Sequence, residues 1–223
     1  MRTLVVTPCK NVEATIGTLI GKIRGVDPAL DVLVVDDGST DGTGRAAGDA
    51  GAVVLRHETN LGKGAALRTG FDYAVSRGYD ALVTMDGDLQ HDPAAIPAFV
   101  AALESGNSDI VIGTRMRAVG EMPRIRIWTN RTTSRVVSRL AGQPIPDSQS
   151  GYRIMRTSVV RGLPLVTSRY DTESEVLIRS ARRGARIASI PIESIYTGGV
   201  SHINPFVDTL RFLRLVVRSL FWR

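Results

Sequence analysis

Short β-branched runs alternate with amphipathic stretches through the first half of this chain, and that alternation limits the possible folds more than any other feature. Strands are predicted at Thr3–Thr7, Val32–Asp36, Ala52–Arg56, Ala81–Met85 and Asp109–Gly113, and helices near Ala14–Arg24, Thr43–Ala50, Gly64–Arg77 and Ala94–Glu104. The strand runs are almost continuously apolar. Strands buried on both faces read this way, so the pattern predicts an α/β protein whose mostly parallel sheet is covered on both sides by helices.

Such sheets bind ligands at the carboxyl ends of their strands. Pro8, Asp36-Asp37, Asp86-Gly87-Asp88 and Arg115 all fall at those ends. In Ala81-Leu-Val-Thr-Met-Asp86-Gly-Asp88-Leu-Gln90-His-Asp-Pro93 an apolar run stops at two carboxylates, and a proline follows where a helix can start. If the chain stays extended there, residues two apart share a side, and Asp86, Asp88 and Gln90 gather oxygen atoms. Mg²⁺ and Mn²⁺ take that kind of ligand and complete their shell with substrate phosphates. The plainer alternative is a polar turn, since Asp and Gly are common turn residues. Asp36-Asp37 precedes a Gly-Ser-Thr-Asp turn that can cap the next helix, yet capping leaves the acidic pair unused. A carboxylate at a strand end can meet the hydroxyls or base of a nucleotide. Asn60-Leu-Gly62-Lys63-Gly64-Ala65-Ala66 opens a helix with small residues that permit close approach by an anion, with Lys63 either assisting or simply solvated.

Past residue 120 the pattern changes. A basic helix is predicted over Arg124–Leu140, then a loop over Gly142–Gly151, a short segment Tyr152–Arg156, a helix near Thr172–Arg183, a strand Arg186–Ile192 and a last helical stretch Asn204–Phe221. Charge is segregated along the chain. Residues 1–110 hold 9 Lys and Arg against 15 Asp and Glu, and residues 111–223 hold 19 against 7, all 19 being Arg. An acidic half suited to a cation thus precedes a basic half suited to anions. Arg124, Trp128, Arg131, Arg135 and Arg139 fall on one helical stripe with Ser134 and Ser138 beside it. Stacked like charges repel unless anions neutralise them, and guanidinium forks match phosphate oxygens. A solvated face is the alternative. In the last stretch Arg211, Arg214 and Arg218 form a ridge on an otherwise apolar helix, suited to a membrane interface or to packing on its own domain or another subunit.

Several classes are disfavoured. The Gly-x4-Gly-Lys-Ser/Thr spacing of a P-loop is absent, and no Gly-x-Gly-x-x-Gly follows the first strand. The single cysteine, Cys9, allows no internal disulfide and has no local signature of a thiol nucleophile. Three scattered histidines do not suggest zinc. Aromatics are few and no nucleic-acid-binding module is recognisable. No run approaches the ~18 apolar residues of a membrane span, and no secretory signal is evident. A cytoplasmic protein, peripheral on the cytosolic membrane face if attached at all, is expected.

Taken together, VVDDGSTDGT (34–43), NLGKGAALRTGF (60–71), TMDGDLQHDP (84–93), IVIGTR (110–115), DSQSGYRIM (147–155) and ESEVLIRSARRGARIASIPI (173–192) resemble, in order and spacing, family-2 glycosyltransferases of the GT-A fold. Within them the likeness is to dolichyl- or polyprenyl-phosphate mannose and glucose synthases. The resemblance implies a Rossmann-like GT-A domain over residues 1–203 and a basic amphipathic helix over 204–223. It implies inverting transfer of a sugar from GDP-mannose or a UDP-hexose to a polyprenyl phosphate, with Mg²⁺ or Mn²⁺. Pro8, Asn11, Asp36, Asp37, Lys63 and Asp86 would bind the donor, with Asp36 and Asp37 on the nucleoside, and Asp86, Asp88 and Gln90 would hold the ion. Arg115, Arg131 and Ser134 would receive the acceptor phosphate, with Arg153 near both phosphates. A sugar hydroxyl as acceptor would need a carboxylate base, for which Asp147 is the first candidate. A homo-oligomer is allowed and nucleic acid is not expected. The chain departs from the family at Pro8-Cys9-Lys10-Asn11-Val12, which lacks an aromatic and an acid, and at Ser201-His202, where a lysine is usual. Glu175 matches a family glutamate whose role the sequence does not explain.

Overall fold

The computed structural model describes residues 1–114, 124–193 and 205–222, with backbone only for 124–126, 205 and 206. Its strands are β1 (Thr3–Cys9), β2 (Asp31–Asp36), β3 (Val53–Arg56), β4 (Ala81–Thr84), β5 (Ile110–Thr114), β6 (Arg153–Arg156) and β7 (Ile187–Pro191). They form one sheet in the order β3-β2-β1-β4-β6-β5-β7. The helices are α1 (Glu13–Val26), α2 (Thr43–Asp49), α3 (Lys63–Ser76), α4 (Ile96–Glu104), α5 (Arg124–Ala141), α6 (Thr157–Val160), α7 (Asp171–Arg182) and α8 (Pro205–Ser219).

Side-chain alternation splits the apolar strands between two cores. Leu4, Val6, Leu33, Val35, Leu82, Ile110 and Ile112 pack against Leu67 and Phe71 of α3, Val137 of α5 and Leu177 of α7. Val5, Val32, Val34, Val83 and Val111 face the other way, onto Ile16, Leu19 and Ile20 of α1 and Phe99 and Leu103 of α4. Each such side chain contributes about 1.5–3 kcal/mol by leaving water. Both faces are therefore worth burying, which is why these runs carry no polar alternation.

Strand β6 gives the sheet its mixed character. It lies antiparallel between β4 and β5, with Arg153 opposite both Thr84 and Ile112. Because it runs backwards, its first residue sits at the rim where its parallel neighbours end. The preceding segment 147–151 is thereby delivered beside Asp86. Thr84 Oγ1 donates to the Gly151 carbonyl at 2.8 Å and pins that segment to the end of β4.

At the far end α8 packs on α7 through the buried Leu215 and Ser219. Arg182 donates to the Ser219 carbonyl, and the Arg179 guanidinium lies 3.6 Å from the centre of the Trp222 ring. Among the described residues no helix is long and apolar enough to cross a membrane.

Candidate active site

Strand β4 stops at Thr84, and Gly87-Asp88 form a turn with Leu89 at φ +62°. The extended alternation expected to carry Asp86, Asp88 and Gln90 along one side is therefore replaced by a turn. Asp88 Oδ1 accepts the Gln90 backbone N–H at 3.0 Å, which closes it. The two carboxylates still interact. Burial, then the charge of Asp86, push the Asp88 carboxyl above its ordinary pKa, so ionised Asp88 lacks sufficient counter-charge.

Asp86 is partly neutralised. Lys63, the first residue of α3, places Nζ 2.6 Å from Asp86 Oδ1 and 3.1 Å from Glu173 Oε1, at the start of α7. Burial alone would depress this ammonium, but Asp86 and Glu173 outweigh it and raise its pKa well above the ordinary value. Lys63 is thus cationic across the neutral range, and only 16% of its side chain is exposed. Tyr170 lies nearby, its ring centre 5.9 Å from Nζ. Gly151 is required here for space. A Cβ on it would lie 2.8 Å from Asp86 Oδ2 and 3.1 Å from both Lys63 Nζ and Glu173 Oε1.

Glu173 and Tyr170 are the residues that sequence reasoning missed. The signal lay in ESE (173–175), where two glutamates two apart on a helix cannot share a face. Glu173 faces the site, whereas Glu175 is fully buried and accepts from Val166 N, Thr167 N and Thr167 Oγ1 at 2.6–3.0 Å and from Arg179 Nε at 2.6 Å. Glu175 shapes the 166–170 segment. That segment meets the start of α3, where the Ser168 carbonyl accepts from Gly64 N at 2.9 Å. A Cβ on Gly64 would collide with Ser168 backbone at 2.7 Å, so glycine is needed for this approach.

Arg153 lies 2% exposed, with Nε, Nη1 and Nη2 donating to the carbonyls of Ser150, Glu173 and Ser148 at 2.7–2.8 Å. These bonds draw 148–150 and the start of α7 together. Ser134 is also buried. Its Oγ accepts from Ser148 N at 2.9 Å and lies 3.2 Å from Ser148 Oγ, so it fastens α5 to the same segment. Both are buried because segment 147–151 needs backbone partners away from water. Asp147 is fully buried as well. Arg131 is exposed on α5 together with Trp128, Arg135 and Arg139. Arg115 lies outside the described residues, as do Arg117, Ser201 and His202.

The acidic pair after β2 is also turned inward. Asp36 is fully buried, its Oδ1 accepting from Ser39 N at 2.9 Å and its Oδ2 lying 3.7 Å from Arg56 Nε. Asp37 accepts from Leu61 N at 2.9 Å and Gly62 N at 2.8 Å, with His57 Nδ1 2.8 Å away. In the structure these carboxylates, for which a nucleoside contact was expected, join the β2–α2 turn to the start of α3, with Asp36 Oδ2 left without a hydrogen-bond partner. Asn11, at φ +54°, accepts from Thr40 N at 2.9 Å and is exposed; Pro8 is partly exposed beside it. These two remain at the surface of the same rim.

The oxygen donors fit a hard divalent cation. Asp86 and Asp88 supply carboxylates, and burial, then the charge of Asp86, hold the Asp88 carboxyl above its ordinary value. Among the described residues no three His, Cys, Asp or Glu side chains converge as a metal cage. Mg²⁺ and Mn²⁺ are commonly held by only one or two carboxylates plus phosphate and water.

The chain is similar to known proteins. A model of glycosyl transferase family 2 matches residues 4–163. The undecaprenyl-phosphate mannosyltransferase of Micrococcus luteus is 36% identical over 225 residues, covering 90% of this chain and 89% of its own. The polyprenol monophosphomannose synthase of Mycolicibacterium smegmatis is 34% identical over 203 residues, covering 86% of this chain and 76% of its own. Among solved structures, the Mycobacterium tuberculosis glucosyl-3-phosphoglycerate synthase in complex with Mn²⁺, UDP-glucose and glycerol 3-phosphate has a TM-score of 0.73 at 25% identity, covering 98% of this chain and 78% of that one. The mixed sheet, the acidic rim and these matches together place the chain in glycosyl transferase family 2, and the protein is a glycosyltransferase.

Proposed function

We propose that this enzyme transfers a sugar, with inversion, from a nucleotide-diphosphate donor to a polyprenyl phosphate. The carrying observation is the rim cluster of Asp86, Asp88, Lys63 and Glu173, in which Asp86 and Glu173 share the Lys63 ammonium and Asp88 sits beside them with its carboxyl held above its ordinary pKa by burial, then by the Asp86 charge. Asp86 and Asp88, with Gln90, would hold Mg²⁺ or Mn²⁺. When bound, such an ion neutralises charge on the departing nucleoside diphosphate as a Lewis acid. Lys63 stays protonated and offers a second positive charge to the same diphosphate. Glu173 and Asp86 hold that ammonium in place, and Gly151 keeps the space above it open. Pro8 and Asn11 would lie along the nucleoside, with Asp36 and Asp37 shaping the loop beneath.

A phosphate acceptor carries about −1.5 to −2 at neutral pH and attacks without losing a proton. The burial of Asp147, the base that a sugar hydroxyl would require, favours this acceptor. Arg131 and Arg115 would receive its charge, while Ser134 and Arg153 position segment 147–151. The named activities of the Micrococcus and Mycolicibacterium relatives support the acceptor class. A polyprenyl acceptor resides in a membrane, so the reading entails a peripheral membrane contact by a catalytic unit of residues 1–203 with α8 appended.

The test is release of nucleoside diphosphate from GDP-mannose and from UDP-hexoses, with and without polyprenyl phosphate and Mn²⁺. The proposal predicts turnover with one donor only when both are present. Turnover that survives EDTA, or that needs no lipid phosphate, contradicts it.

A further inference from the structure

Helix α8 spends only part of its surface on the protein. Leu215 and Ser219 are buried against α7, with Phe212 and Trp222 partly covered. On the opposite side Leu210, Leu213, Val217, Leu220 and Phe221 are 52–79% exposed. At 100° per residue Leu210, Leu213 and Val217 lie within about 60° of arc on α8, and Leu220 and Phe221 follow in the turn that ends it. Scattered exposed apolar residues are ordinary, but three on one stripe of a helix and two more in the turn that ends it mark an interaction face.

The stripe is bordered by a ridge of like charge. Arg211, Arg214 and Arg218, at i, i+3 and i+7, lie between the apolar stripe and the buried side. Arg211 is paired with Asp208 at 2.8 Å, whereas Arg214 and Arg218 have no carboxylate within 4.0 Å among the described residues. The three arginines, with Arg169, line a cavity of about 150 Å³ between α8 and the 166–171 segment. Asp171 also lines it. The charged residues lining it are thus four arginines against one aspartate. An apolar stripe flanked by unneutralised arginines matches the interface of an anionic bilayer: acyl chains take the stripe, and lipid phosphates take the ridge. A second copy of this chain would bring the same arginines against the same arginines across a two-fold axis, which repels.

We infer that α8 docks this enzyme flat on an anionic membrane surface, burying Leu210, Leu213, Val217, Leu220 and Phe221 while Arg211, Arg214 and Arg218 engage lipid phosphates at the mouth of the cavity beside segment 166–171. This identifies the surface that meets the membrane in the function proposed above, and it rests on that reading only for its purpose. The segment lining the cavity also touches the start of α3, so docking sets the active-site rim beside the lipid surface.

The test is flotation of the full chain with vesicles of phosphatidylcholine alone or with about a quarter phosphatidylglycerol. Wild type should float with the anionic vesicles at least ~10-fold more than with neutral ones, and less as salt rises. Leu213→Glu with Val217→Glu should reduce flotation by ~10-fold or more, with melting unchanged because both sites are exposed. Arg214→Glu with Arg218→Glu should abolish the preference for phosphatidylglycerol. Failure of wild type to float, or flotation unaffected by either pair of substitutions, overturns the inference. So does a vesicle-free dimer that the Leu213/Val217 substitutions dissociate, since a second copy would then cover the stripe. Transfer to a water-soluble short-chain prenyl phosphate without vesicles separates the two proposals. The Leu213/Val217 variant should match wild type there. If wild type fails in that assay while still floating, the acceptor reading falls and the docking inference stands.

Discussion

Two pairs of aspartates close two strands of the same sheet, and the structure treats them in opposite ways. At the end of β2, Asp36 and Asp37 are buried: Asp36 Oδ1 meets the Ser39 N–H and the Asp37 oxygens meet the Leu61 and Gly62 N–H groups and His57, while Asp36 Oδ2 has no hydrogen-bond partner and lies 3.7 Å from Arg56 Nε. After β4, Asp86 and Asp88 stay partly exposed, one held by Lys63 and the other short of counter-charge. Backbone donors that balance a carboxylate from within the protein leave little for a ligand to offer. A carboxylate left unbalanced at an open rim is poised for a cation. The first pair fastens a loop, and the second is the pair proposed to hold the cation.

The contrast is broken most sharply at Asp88. Asp88→Asn should lower transfer by roughly 10³-fold, the scale expected when an electrostatic stabiliser of the transition state is lost. It should not unfold the protein. Asp88 binds its proton more tightly when folded than when unfolded, so its ionisation costs stability as pH rises from about 3.9 through the folded value. In metal-free buffer at neutral pH the variant should therefore melt at or above wild type. A large fall in melting temperature would make Asp88 a scaffold residue like Asp37.

Lys63→Met comes next. It removes the ammonium that Asp86 and Glu173 share and should cost roughly 2–3 kcal/mol in denaturant unfolding. Adding Asp86→Asn should recover part of that loss; additive effects of the two changes would show that the pair is not coupled. Asp37→Asn should show the reverse balance to Asp88→Asn. Weakening bonds to Leu61 and Gly62 should cost about 1–2 kcal/mol of stability, with transfer by the folded fraction reduced less than ~10-fold. An activity loss equal to that of Asp88→Asn would restore a direct donor role to Asp37.

The smallest effect lies away from both pairs. The Arg186 side chain, hydrogen-bonded to Asp109, holds that carboxyl below its ordinary value despite partial burial. The stabilisation is present above about 3.9 and is lost as pH falls through the lower folded value. Asp109→Asn should therefore flatten the acid limb of the stability–pH curve while leaving its neutral limb lower and parallel. An unchanged acid limb would show that the ion pair is not felt.

Much of the fold was legible because apolar runs and amphipathic periods are local signals. The strand ends at Asp36, Arg56 and Thr84–Met85 and the helices at Thr43, Lys63 and Asp171 lie within two residues of expectation. The reversal of β6 was not legible, since Tyr152–Arg156 reads the same in either direction and its partners lie 41–75 residues away. That reversal brings Gly151 over Asp86, so the shape of the site was hidden along with it. Residue types at the rim were visible, but their partners were not. Asp36-Asp37 and Asp86-Gly-Asp88 look alike in sequence, and only long-range backbone donors at Leu61 and Gly62 distinguish them. Likewise, Glu173 became a site residue only when α7 was placed beside α3.

The central claim is that Asp86 and Asp88 seat a divalent cation that grips the donor's diphosphate. Calorimetric titration of GDP and UDP into the full chain, with and without Mn²⁺, measures this directly. The account predicts that one nucleotide binds at least ~10-fold tighter with Mn²⁺, a difference of about 1.4 kcal/mol, and that Asp88→Asn removes the gain. Equal affinity with and without the ion, or a gain that persists in Asp88→Asn, would contradict it.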